Sequence, residues 1–162
     1  MKRLSLVFIL SVVGLSLFAG TSGTLTLTGV VAASTNITVT PQAGVFPMDL
    51  TTTHTNTQIA MVNEQTNDHL GYTVTVSSAN LTGAGTQPFF KDAASGDTLN
   101  YTLTYNDVGV VFASGQSTVT NASAKTVPAG VNNTVTISYT GSNTISASNN
   151  YTDTLTFTIA GK

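Results

Sequence analysis

One apolar residue alternates with one Thr, Ser or Asn along much of this chain, and this alternation constrains the fold more than any other feature. It is clearest over residues 70–76, 99–105 and 155–159. A repeat of two residues is the period of a β-strand with one buried and one solvent-exposed face, whereas a helix repeats at about 3.6 residues. Helical periodicity is almost absent after the first twenty residues. The sequence therefore predicts an all-β protein.

Weaker runs complete the set of predicted strands, and turn-forming residues separate them. The run that stops at Pro41 is a clear strand, the run interrupted by Pro47 is a weak one, and residues 51–57 favour a loop or an exposed edge strand. This spacing is typical of an antiparallel β-sandwich. We expect about seven to ten strands in a single domain over residues 21–162. The remaining predicted strands cover residues 24–31, 36–40, 45–50, 58–62, 108–112, 117–120 and 135–139.

The first twenty residues follow a different pattern. Lys2 and Arg3 precede an apolar stretch that runs from Leu4 to Ala19, and small residues follow. This is the layout of a secretory signal peptide, and the apolar stretch is shorter than the roughly 20 residues of a membrane span. We expect residues 1–20 to be a cleavable signal peptide. The mature protein is then exported to the periplasm, the cell surface or the medium, without membrane insertion after cleavage.

Charged side chains are scarce. Asp, Glu, Lys and Arg make up 7% of the chain, against about 25% in ordinary domains. Without the leader, three lysines remain against seven acidic residues, so the mature net charge is 3 − 7 = −4. The lack of a basic patch argues against nucleic acid or anionic lipid as a partner. The chain has no cysteine, which excludes disulfides and thiolate zinc sites.

The titratable residues do not form a recognisable catalytic pattern. His54 and His69 are the only histidines, and no serine lies in a Gly-x-Ser-x-Gly turn, as a hydrolase nucleophile often does. Glu64 and Asp68 lie in a polar stretch, residues 63–69, that we interpret as a solvated loop. We therefore predict that the protein is not an enzyme and has no catalytic, cofactor-binding or metal-binding residues.

Calcium and carbohydrate are the ligands that the composition leaves open. Asp92 with Asp97, or the polar stretch, supplies oxygen ligands, but neither matches a calcium-binding EF-hand loop. Carbohydrate sites commonly stack sugars on exposed aromatic rings. The chain has no Trp, and four of its five tyrosines are expected in the core because they fall on apolar strand faces: Tyr72, Tyr101, Tyr105 and Tyr139.

The end of the chain carries a family resemblance. Residues 149–159, Asn-Asn-Tyr-Thr-Asp-Thr-Leu-Thr-Phe-Thr-Ile, resemble the closing strand of spore coat protein U and related fimbrial subunits, which end in Tyr-x-Asp-Thr-Val/Leu-x-Val/Phe-x-Ile. Residues 71–78 and 23–29 are similar to other segments of these proteins. The resemblance implies assembly by strand donation between subunits, a form of β-augmentation. It also implies copies of the chain or related subunits as partners, and a periplasmic chaperone. Many of these pilins carry a disulfide, which this chain lacks.

Two interpretations compete. The leading one is an immunoglobulin-like β-sandwich that serves as a non-catalytic structural or adhesive subunit of a bacterial surface fibre or coat. The alternative is a stand-alone exported β-sandwich that binds a ligand such as a glycan. An extracellular hydrolase ranks third because titratable residues are so few.

One segment and one single residue are the structural features that we single out for the leading interpretation. Leu25, Leu27, Gly29 and Val31 share one face of residues 21–31. This stretch is either a donor strand for a neighbouring subunit or the first strand of its own sandwich. Asp153 lies two residues before Leu155 and four before Phe157, so in a strand its side chain would point to the same face as theirs. We expect it at the rim of the core, where it accepts hydrogen bonds from a loop. Of four replacements, at His54, His69, Glu64 and Asp153, the last is expected to cost most stability.

Overall fold

A computed structural model describes residues 22–162, and residues 1–21, which contain the predicted signal peptide, lie outside the described residues. Residues 22–31 and the unit Ala32–Lys162 are separate bodies. Residues 22–162 form eleven strands and no helix. The strands are β1 (Thr35–Pro41), β2 (His54–Thr66), β3 (Tyr72–Ser78), β4 (Phe89–Asp92), β5 (Thr98–Asn100), β6 (Thr102–Tyr105), β7 (Val108–Gly109), β8 (Gln116–Ala122), β9 (Val131–Tyr139), β10 (Tyr151–Thr152) and β11 (Leu155–Gly161).

The strands form three antiparallel sheets. Sheet A has the order β1-β2-β9-β6-β7, sheet B the order β11-β3-β8, and sheet C the order β10-β4-β5. The prediction of an all-β antiparallel fold is confirmed, and the arrangement is consistent with a β-sandwich. Among residues 22–162, no helix is long and apolar enough to cross a membrane.

Alternation in the sequence becomes alternation of burial in the sheets. In β3, Tyr72, Val74 and Val76 are buried, and the threonines between them are half-exposed. In β9, buried residues run from Asn133 to Tyr139 at every second position. One hydrophobic cluster contains Val76 of sheet B together with residues of sheet A, and apolar residues of sheet C pack against it. The three sheets therefore share one core.

Several strand predictions are wrong. Residues 24–31 and 45–50 form no strand, and β4 was not predicted. The predicted solvated loop at residues 63–69 is wrong over its first half, because β2 continues to Thr66. Residues 54–57, predicted as a loop or an exposed edge strand, open β2 and pair only with β9, because the pairing of β1 with β2 runs from Ala60 to Thr66. The edge-strand alternative is therefore confirmed for these four residues. The observed strand count, eleven, also exceeds the expected range for the described residues.

Candidate functional site

The N-terminal segment, residues 22–31, presents its apolar side chains to solvent. Leu25, Leu27, Val30 and Val31 are between 84% and 97% exposed. At Gly29, a Cβ atom would meet nothing within 4 Å. The segment forms no strand, yet it keeps the alternation that a strand requires. Exposed apolar residues in this pattern indicate a surface that another protein can cover.

The last strand, β11, has one open edge. It pairs with β3 along its whole length, from Leu155 opposite Ser78 to Gly161 opposite Tyr72. Within the described part of the chain, no strand pairs with its other edge. Three apolar residues of β11, Leu155, Phe157 and Ile159, are only half-buried. An edge strand with free backbone groups and a partly covered apolar row is a template for an added strand.

The first strand, β1, lies at the edge of sheet A and next to β11. Its only strand partner within residues 22–162 is β2, and it contacts β11 without pairing with it. Ile37 is half-buried and packs against the core, while Val39 is exposed. The edge strands of sheets A and B, β1 and β11, therefore lie next to each other, and the apolar side chains of the core are only partly covered there.

A fully buried carboxylate joins its own strand to three others inside the core. Glu64 of β2 is 0% exposed. One of its oxygens, Oε2, accepts a hydrogen bond from the Tyr72 hydroxyl at 2.8 Å. The other, Oε1, accepts from the Tyr105 hydroxyl at 2.5 Å and from the Thr120 hydroxyl at 2.7 Å. A buried charge needs such donors because it has lost its water.

The two tyrosines at this cluster remain protonated donors. Burial raises the pKa of the Tyr72 and Tyr105 hydroxyls, and the hydrogen bond to Glu64 and its charge raise both further. Since Glu64 has no solvent access, the cluster holds strands together and cannot meet a substrate. The burial predicted for Tyr72, Tyr101, Tyr105 and Tyr139 is confirmed.

Asp153 forms a second carboxylate cluster between β10 and β11. Its Oδ2 atom accepts hydrogen bonds from the Ser78 hydroxyl at 2.7 Å and the Tyr101 hydroxyl at 2.5 Å. Its Oδ1 atom accepts from the backbone N–H of Asn80 at 3.2 Å. Burial, followed by the bond to Asp153, raises the pKa of Tyr101. The half-buried carboxylate thus joins the loop after β3 to the start of β11.

The other candidate residues lie apart from these clusters. His54 packs its ring 5.1 Å from that of Tyr139, and His69 is highly exposed beside Asp68. Hydrogen bonds from the Ser95 side chain and backbone lower the pKa of the Asp92 carboxyl. The side chain of Ser146, followed by its backbone N–H, lowers the pKa of the Asp97 carboxyl. Within residues 22–162, no group of three or more His, Asp or Glu residues could hold a metal ion.

The sequence interpretation missed the Glu64 cluster, although a signal was present. Ala60, Val62, Glu64 and Thr66 share one strand parity and are all buried. Extending the parity of the predicted strand at 58–62 would have placed the carboxylate inside. No protein-family model matches the chain, and no curated protein sequence matches it significantly. Its function must therefore be inferred from the residues and their geometry.

Proposed function

We propose that this chain is a non-catalytic structural or adhesive subunit of a bacterial surface fibre or coat. It is exported by its signal peptide, residues 1–20, and assembles by strand donation into an immunoglobulin-like sandwich. The N-terminal segment of one copy adds to the open edge of β11 in the next copy. One observation carries the proposal: the same chain holds an exposed alternating segment and an open sheet edge whose apolar row is half-covered.

The chemistry of the two surfaces is complementary. Leu25, Leu27 and Val31 share a face that would cover the apolar row of β11. Burying a leucine or valine side chain completely contributes about 1.5–3 kcal/mol. Backbone groups of the added strand would pair with the free N–H and C=O groups of β11. Gly29 has no side chain, so the backbone can approach closely at that point.

The composition of the chain also suits assembly. Only 7% of its residues are charged, so copies can approach with little like-charge repulsion. An open apolar edge is an aggregation hazard in a free subunit. A periplasmic chaperone that covers β11 until assembly is therefore part of the proposal.

Charge placed on one face of the N-terminal segment tests the proposal. We expect Leu25→Asp with Leu27→Asp to leave a folded monomer, because charged side chains cannot enter an apolar groove. The matched control, Thr24→Asp with Thr26→Asp, places the same charges on the opposite face and should still give polymers. Size-exclusion chromatography and electron microscopy of the mature protein report the assembly state.

Removal of residues 21–31 separates donation from the competing role as a first strand. Under donation, the shortened chain stays folded, does not polymerise and binds a synthetic peptide of residues 22–31. An unfolded or aggregated product would place the segment in its own core, and native-length polymers would refute donation outright. If the unaltered mature protein is a monomer in the absence of a chaperone, this result favours the alternative function, a stand-alone ligand-binding protein.

A further inference from the structure

A cleft lies between two irregular loops of the unit Ala32–Lys162. Its volume is about 720 Å³, within the range of roughly 300–1,000 Å³ for small-molecule sites. The walls come from the loop at residues 42–53 and the loop at residues 140–150, and Phe90 and Tyr151 add aromatic surface. Surface loops that are held by a rigid scaffold often carry binding residues.

Hydrogen bonds hold both walls in place. The Tyr139 hydroxyl donates to the backbone carbonyl of Asp49 at 2.9 Å, which fixes the first loop to β9. The Ser142 N–H donates to the carbonyl of Leu50 at 3.0 Å and joins the two loops directly. The Ser146 N–H donates to Asp97 at 2.8 Å. A cleft fixed in this way binds a ligand with little loss of conformational entropy.

The lining selects a neutral ligand. Asp49 is the only acidic residue that lines the cleft, and no lysine, arginine or histidine does. Its carboxylate already accepts hydrogen bonds from the N–H and hydroxyl of Thr51 and from the hydroxyl of Thr52. An anionic ligand would find no cation in the lining. A cationic ligand would find one exposed carboxylate whose two oxygens already accept hydrogen bonds within its own loop, so the lining favours a neutral ligand.

The lining also combines flat apolar surface with free amides. Phe46, which is 54% exposed, lies with Phe90 and Tyr151 around the cleft. The side chains of Asn143 and Asn149 are exposed and make no hydrogen bond within residues 22–162. An amide both donates and accepts hydrogen bonds. A ligand that uses all of these groups has an apolar face and several hydroxyls on its edges.

We propose that this cleft binds a neutral saccharide. The C–H face of a sugar ring packs against the aromatic side chains, and its hydroxyls bond to the amides of Asn143 and Asn149. An aliphatic ligand would leave these amides unused. The site uses none of the residues of strand donation, so it can be tested in a protein that does not polymerise.

An oligosaccharide array with neutral and acidic sugars provides the first test, and calorimetry with a bound sugar provides the second. We expect neutral sugars to bind. Phe46→Ala should weaken binding about tenfold, and Asn149→Ala about three- to tenfold, through lost stacking and a lost hydrogen bond. The matched controls are Leu70→Ala, at a side chain that is 56% exposed, and Asn121→Ala, at an exposed position of β8. Both lie outside the cleft and should bind as the unaltered protein does.

Each other outcome overturns the proposal. These outcomes are no binding to any neutral sugar, binding to acidic sugars alone, or equal losses in the cleft and control variants. Dodecanol, a neutral aliphatic probe, tests the competing apolar occupant. Binding of dodecanol that Phe46→Ala abolishes, with no neutral sugar bound, would assign the cleft to an apolar ligand instead. Circular dichroism of every variant confirms that the fold is retained.

Discussion

Replacement of Glu64 by leucine tests whether a buried carboxylate holds the core together. Leucine keeps apolar bulk at this position but removes both acceptor oxygens. The hydroxyls of Tyr72, Tyr105 and Thr120 then lose their partner. Tyr72 and Tyr105 are buried, so water cannot replace the carboxylate there, whereas Thr120 is half-buried and can reach water.

The expected loss follows from the number of orphaned donors. A buried donor without a partner costs about 1–3 kcal/mol. Two such donors at Glu64→Leu give a loss of about 2–6 kcal/mol in the free energy of unfolding, a large share of the roughly 5–15 kcal/mol of a typical domain. Urea denaturation followed by far-UV circular dichroism measures this loss without depending on tyrosine fluorescence.

A double-mutant cycle then separates the lost hydrogen bonds from simple misfit of leucine. Tyr72→Phe and Tyr105→Phe should each destabilise the unaltered protein by about 1.5–3 kcal/mol, because each removes a donor from a buried charge. In the Glu64→Leu background the same changes remove orphaned hydroxyls, so they should restore stability. The control is Tyr139→Phe, whose hydroxyl bonds to a backbone carbonyl instead.

Two results would refute this reasoning. The first is a loss of less than about 1 kcal/mol at Glu64→Leu, below the penalty for even one orphaned donor. The second is additivity of the tyrosine changes with Glu64→Leu to within about 0.5 kcal/mol, as for independent sites. If Glu64→Leu does not fold, the triple variant with both phenylalanines should still fold, and its failure to do so would count equally against the argument.

Two further predictions concern alkaline stability and one glycine. Burial raises the pKa of Tyr72, Tyr101 and Tyr105 above the unfolded value of about 10, so the folded chain holds these protons more tightly. The contribution of these tyrosines to the free energy of unfolding is complete below about pH 10. It falls as the pH rises further, by up to about 1.4 kcal/mol per pH unit for each tyrosine. Urea midpoints across this range should fall, less steeply in Tyr101→Phe, and a midpoint independent of pH would contradict the assignment. The Gly71→Ala variant should have a melting temperature well below that of Gly44→Ala. Both glycines have positive φ, but only at Gly71 would a Cβ collide with the Ala122 carbonyl. Equal melting temperatures of the two variants would disprove this close approach.

The sequence predicts most of the sheets because strand parity is a property of the backbone. Residues 70–76, 135–139 and 155–159 alternate without interruption, and they became β3, β9 and β11. β4, with the sequence Phe-Phe-Lys-Asp, has no alternation that could have revealed it. Residues 24–28 alternate as clearly as β11 does, yet they form no strand. A strand needs a paired neighbour as well as a pattern, and the pattern does not specify that neighbour.

The buried carboxylates show a second limit of sequence reasoning. Glu64 reads as a surface residue because charged side chains are rarely buried. It is tolerated inside because Tyr72, Tyr105 and Thr120 converge on it from three other strands. No local pattern encodes that convergence. Because Glu64 is fully buried and Asp153 is only half-buried, we now expect replacement of Glu64 to cost more stability than replacement of Asp153.

The proposed strand donation would place consecutive subunits close together. Only residues 32–34 separate the N-terminal segment from the start of β1 at Thr35. Asn67 holds this connector to the unit: its side-chain amide donates to the Ala32 carbonyl at 2.8 Å and accepts from the Ser34 N–H at 2.7 Å. An extended chain spans at most about 3.6 Å per residue, so a fixed connector of this length leaves little slack. The eight residues 24–31 also match the seven residues of β11 that they would cover. A fibre built in this way would be stiff, because each subunit would be joined to its donated strand by a short connector that Asn67 holds in place.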